Sequence, residues 1–123
     1  MDTKQTILAW LADTRFDDRK RQPGFAYSKA DDKPAYSVVR HPLILNSGDT
    51  ISLQYSNTHY CAGTDTEPLT MELWCCPVSP ILGDHDPNDP YGYVGLDTIV
   101  KYIDSLGGIV PLNTQLAMLV VSK

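Results

Sequence analysis

The side chains able to do chemistry fall in two clusters. The first is the run Asp84-His85-Asp86-Pro87-Asn88-Asp89, which sets oxygen ligands at alternate positions 84, 86 and 88, as a calcium loop begins. Two later positions break the pattern. Such a loop turns sharply on a glycine at its sixth position and closes with a bidentate glutamate at its twelfth; here those places hold Asp89 and Gly95. The run therefore reads as a solvated acidic loop with no metal. The second cluster is His59, Cys61, Cys75 and Cys76, four soft ligands. Zinc needs ligand pairs that converge, whereas adjacent residues of an extended chain point to opposite sides, so either Cys75 or Cys76 would miss. A nucleophilic Cys61 would need an imidazole beside it, from His59, His41 or His85, and an orienting carboxylate. The chain has no nucleophile elbow, no glycine-rich phosphate loop and no HExxH. A small hydrolase using Cys61 with His59, or a metal on residues 84–89, is the least supported reading. No catalytic residue and no cofactor are assigned.

The aromatic residues point elsewhere. Tyr55 and Tyr60 stand in or near the central hairpin of the sequence, while Trp74, Tyr91 and Tyr93 border the acidic loop. Tyr and Trp cover contact area at low entropic cost and anchor interfaces more often than other side chains. The net charge of −5 is unevenly spread: residues 1–40 carry eight bases and six acids, residues 41–123 two bases and nine acids. With no basic face to meet phosphates, general nucleic-acid binding is not expected. An acidic half is instead steered toward a basic partner. The first binding reading therefore sets Asp84, Asp86, Asp89, Trp74, Tyr91 and Tyr93 against a basic protein surface, such as the channel of a nucleic-acid-binding complex. The second holds a small nucleotide among Tyr55, His59 and Tyr60, with its phosphates neutralised by Arg40 or by Arg19-Lys20-Arg21.

These residues need a scaffold. Residues 3–12 are predicted helical, with Asp2 or Thr3 as cap and Ile7, Leu8 and Leu11 on one face. Gln22-Pro23-Gly24 should end any extension of that helix. A period of two then marks strands at 25–28 and 35–40, parted by a polar turn. Residues 43–45 and 51–56 flank Asn46-Ser47-Gly48-Asp49, a hairpin signal, and residues 69–76 alternate again. Four prolines keep 77–90 irregular. Asp97 is expected to cap a helix carrying Ile99, Val100, Ile103 and Leu106, closed by Gly107-Gly108. Residues 116–121 are apolar throughout, which suits a strand covered on both faces, with a short buried helix as the alternative. Strands linked by hairpins give an α+β fold: an antiparallel sheet of about five strands with two helices packed on one face.

A chain of 123 residues makes one domain, residues 1–123. It has no 18-residue apolar run, so no membrane span is expected. Its first residues lack the pattern of a secretion signal, and three cysteines, two of them adjacent, read as free thiols in a reducing compartment.

Two stretches, ISLQYSNTHYC (51–61) and YGYVGLDTIVKYIDSLGGI (91–109), resemble a group of small prophage-encoded proteins. In that group an alternating strand ends in His-Tyr-Cys, and Tyr-Gly-Tyr-Val leads into a helix closed by Gly-Gly-Ile. The resemblance covers residues 43–109. It departs at Ala62-Gly63, where the group has Ser-Pro, and at Leu106, where it has histidine. The resemblance implies a phage origin, hence the host bacterial cytoplasm, and transfers no site. Small acidic phage accessory proteins often occupy a host defence machine, as anti-CRISPR proteins do, or sequester a nucleotide signal.

Overall fold

The computed structural model describes residues 2–17, 22–28, 33–37, 39–56, 59–64, 66–74, 77–83 and 89–121. Helix α1 (Thr3–Ala12) starts where local chemistry sets it. The Asp2 carboxylate accepts from Gln5 N at 2.7 Å, and the Gln5 side chain accepts from Asp2 N at 3.0 Å, satisfying two otherwise orphaned donors. Ile7, Trp10 and Leu11 are buried, so Trp10 takes the place in the apolar stripe that the sequence pattern offered to Leu8. A 3-10 turn (Thr14–Phe16) follows and buries Phe16.

Strands β1 (Gln22–Ser28) and β2 (Lys33–Ser37) pair antiparallel as a two-stranded ribbon. Pro23 and Gly24 therefore lie inside a strand rather than ending a helix. Both strands of a ribbon are edges, where the missing N–H of proline is tolerated, and the register shifts between Pro23 and Tyr27.

The main sheet has five strands, all antiparallel: β3 (Leu43–Ile44), β4 (Thr50–Gln54), β5 (Ala62–Gly63), β6 (Pro68–Trp74) and β7 (Tyr91–Gly95). The hairpin at 46–49 joins β3 to β4 as its turn residues require. Leu73 pairs with both Leu53 and Tyr91, and Thr70 with both Ala62 and Gly95. Strands β4 and β5 thus share one edge of β6, and β7 takes the other. Ile51, Leu53, Met71 and Leu73 are fully buried, while Ser52, Thr70, Glu72 and Trp74 alternate with them.

Helix α2 (Leu96–Ser105) leaves β7 without a loop and contacts β6 and β7; α1 packs on α2, with the Thr3 hydroxyl donating to the Asp104 carboxylate. Gly95 is the N-cap, so Asp97 lies in the first turn, where its charge suits the helix dipole, instead of capping. Ile99, Tyr102 and Ile103 fill the core. Gly107 and Gly108, both at φ +88°, end the helix, with Gly108 N donating to Ile103 O at 3.0 Å.

The C-terminal apolar stretch is a third helix, α3 (Leu112–Val121), not a strand. A strand there would need an open ladder beside β3, and that ladder is taken. Val110 N donates to Ile44 O at 3.0 Å, and the buried Gln115 amide donates to Val110 O at 2.7 Å and accepts from Ile44 N at 3.0 Å. One side chain thereby closes the β3 edge. The α+β class and the five-stranded antiparallel sheet stand as expected, with three α-helices among the described residues where two were expected.

Candidate functional site

Between β4 and β5 the chain leaves the edge of β6 and crosses over it. Tyr60 N donates to the Glu72 carboxylate at 3.0 Å, and Tyr60 O accepts from Tyr93 N at 2.9 Å, reaching the strand on the far edge. Two features receive the crossing. Opposite Glu72, β7 carries two residues, Gly92 and Tyr93, where β6 carries one, since Tyr91 pairs with Leu73 and Val94 with Met71. This is a β-bulge, and it turns Tyr93 into the left-handed region at φ +53°. Gly92 supplies the room: a Cβ there would lie 2.9 Å from the Tyr60 Cβ.

The result is a surface of aromatic rings around a carboxylate. Tyr60 is 61% exposed and Tyr93 60%, with ring centroids 6.0 Å apart and planes tilted by 53°. Trp74, two residues beyond Glu72 on the same strand, is 41% exposed. Tyr91 differs: it sits opposite buried Leu73 and packs partly buried against the core. Asp89 is exposed at the Trp74 end of the β6–β7 ladder. Asp84 and Asp86, named with these as partner-binding residues, lie outside the described residues, as do Cys75, Cys76, His85 and Arg19-Lys20-Arg21.

Beneath the crossing lies a polar layer. Ser56 Oγ and His59 Nδ1 are 2.5 Å apart, and His59 N donates to Ser56 O at 3.1 Å. The Cys61 thiol donates to Ser56 O at 3.2 Å and lies 3.5 Å from His59 O. Burial pushes the Cys61 thiol pKa up, with Glu72 adding to the rise against its bond to Ser56 O and the Arg40 charge, so at neutral pH the sulfur is a protonated donor. Burial likewise lowers the His59 pKa; Glu72 opposes that shift and Arg40 adds to it. Histidine and thiol are therefore close, but the imidazole bonds Ser56 and the thiol bonds main-chain carbonyls. The arrangement stitches a loop together and presents no thiolate. Among the described residues no three His, Cys, Asp or Glu side chains form a group able to hold a metal ion.

Arg40 and Tyr55, candidates for holding a nucleotide, are in the interior. Arg40 is 2% exposed. Its Nη1 donates to Tyr55 O at 2.6 Å and its Nη2 to Leu11 O at 3.4 Å, its guanidinium lies 5.7 Å from the Trp10 ring centroid, and its Nε is 3.9 Å from Asp17. The Gln54 side chain bonds both Arg40 N and Arg40 O. Arg40 thus joins the end of α1 to the start of the crossing, and no phosphate at the surface reaches it while the fold is closed. His59 and Tyr60 are brought together as that reading asked; Arg40 is not placed with them on the surface. Glu72 was missed by sequence reasoning. Its one signal was a carboxylate on the polar side of an alternating strand, which is also what an ordinary solvated residue shows.

An apolar groove of about 230 Å³ is lined by Phe16, Pro42, Ile44, Gln115, Met118 and Leu119 and holds none of the candidate residues. Among the described residues no helix is long and apolar enough to cross a membrane. Comparison with family models, curated proteins and solved structures returns no match to this chain.

Proposed function

We propose that this chain is a non-catalytic docking protein of phage origin that inhibits a host defence system, in the bacterial cytoplasm, by occupying a basic protein surface. One observation carries the reading: Tyr60 and Tyr93, each more than half exposed, flank Glu72, and one of them stands on left-handed backbone. A large side chain held at positive φ costs stability, and a ring left in water recovers little of it by burial. A ring so placed is open to a partner outside the chain. The charge of residues 41–123, nine acids against two bases, fits a basic partner. The thiol and imidazole, spent on internal bonds, supply no nucleophile. The phage origin rests on the resemblance of residues 51–61 and 91–109 to prophage proteins.

The test is capture from host lysate with wild-type protein and with a Trp74→Ser/Tyr93→Asn variant, each eluted by rising salt. The reading expects a basic host protein that wild type retains, that salt releases, and that the variant fails to hold. Equal retention by both proteins, or retention indifferent to salt, would overturn it.

A further inference from the structure

Resting on the docking reading above, the geometry points to a more specific ligand: the Tyr60–Glu72–Tyr93 cluster is a receptor for an arginine side chain of the partner. The two rings are tilted to each other by 53° at a centroid spacing of 6.0 Å. A cation is attracted to an aromatic face when it lies within about 6 Å of the ring centre, and both rings are more than half exposed, so each offers a flat cation a surface to stack on. Glu72 provides the counter-charge. It is half-buried, and among the described residues its carboxylate accepts one hydrogen bond, from Tyr60 N, where a carboxylate has about four acceptor sites. That bond also fixes the carboxylate at the foot of the Tyr60 ring. Gly92, whose Cβ would collide with Tyr60, keeps the ring seated there.

Arginine fits this site better than lysine for three physical reasons. Its guanidinium is planar and stacks on a ring, it donates in a fork that matches a carboxylate, and it sheds water more readily than an ammonium. Among the described residues Arg40 lies inside, held by Tyr55 O, Leu11 O and the Trp10 ring, so it does not cover Glu72 from the surface. An anionic ligand is disfavoured by Glu72.

The test is a two-dimensional NMR titration of the full chain with two peptides of equal charge, one arginine-rich and one lysine-rich, using wild type, Glu72→Gln and Tyr93→Asn. The backbone spectrum of each variant reports whether it is folded, and the near-isosteric Glu72→Gln leaves the rings in place. Saturable shifts are expected at Tyr60, Gly92 and Tyr93 for the arginine peptide, with lysine weaker by about fivefold and each substitution weakening arginine by a similar factor. Equal binding of the two peptides through these tyrosines overturns the arginine assignment and leaves docking on a basic surface standing. No response of the tyrosines to either peptide contradicts both.

Discussion

Replacing Tyr93 separates stability from docking, because the structure sets opposing terms on the folded state. Tyr93 sits at φ +53°, where a residue with a Cβ is disfavoured by about 1–2 kcal/mol, whereas asparagine tolerates the region. The ring returns something: its tilted contact with Tyr60 at 6.0 Å is worth about 0.5–1.5 kcal/mol. At 60% exposure it buries little further area, and the Tyr93 N bond to Tyr60 O belongs to the backbone and survives substitution. Relief of strain and loss of the ring contact nearly cancel, so Tyr93→Asn should shift unfolding stability by less than about 1 kcal/mol in either direction. Docking should respond differently. An interface anchor costs about 2 kcal/mol or more when truncated, roughly thirtyfold in affinity. The assay pairs urea unfolding, followed by tryptophan fluorescence, with binding to the captured partner. A Tyr93→Asn protein that loses more than about 2 kcal/mol of stability would refute the reasoning, because the ring would then be a structural element.

Arg40→Met should cost about 3–5 kcal/mol in chemical denaturation, since it removes the 2.6 Å donor from Tyr55 O and the cation beside half-buried Asp17. A loss near zero would mean that its interior contacts do not hold the crossing to α1. The His59 pKa is lowered by burial, so the unfolded chain binds its proton first as pH falls. Stability should therefore drop below the unfolded value of about 6.5 and continue falling until the folded histidine also titrates; His59→Gln should flatten that limb in pH-dependent unfolding. Cys61, a thiol raised in pKa and bonded to Ser56 O, should alkylate more slowly than free cysteine at neutral pH, measured with iodoacetamide in a Cys75→Ser/Cys76→Ser background. A fast reaction would revive the nucleophile reading.

What the sequence made legible is what short-range chemistry decides. Asp2, offered with Thr3 as the cap of the first helix, is its N-cap, and Asn46-Ser47-Gly48-Asp49 between apolar runs announces the β3–β4 hairpin. The alternation from Leu69 to Trp74 marks β6. What stayed hidden depends on neighbours distant in the chain. The segment Tyr91–Gly95, with two glycines in five residues, has weak strand propensity and is a strand because β6 offers it a second edge. The apolar residues of α3 satisfy either period; Gln115, bonded to Ile44 and Val110, closes the edge a strand would have used. Arg40 gives no local sign that it is buried, since Trp10, Leu11 and Tyr55 arrive from elsewhere. The pairing of Tyr60 with Tyr93 likewise needs the bulge opposite Glu72, a feature no spacing encodes.

The most direct measurement is hydrogen-exchange and surface-labelling protection of the chain in complex with its captured partner. Docking through the crossing predicts that Tyr60, Glu72, Trp74 and Tyr93 become protected and that salt restores their exposure. Protection confined to the groove of Phe16, Pro42 and Met118, with those rings as accessible as in the free chain, would contradict it.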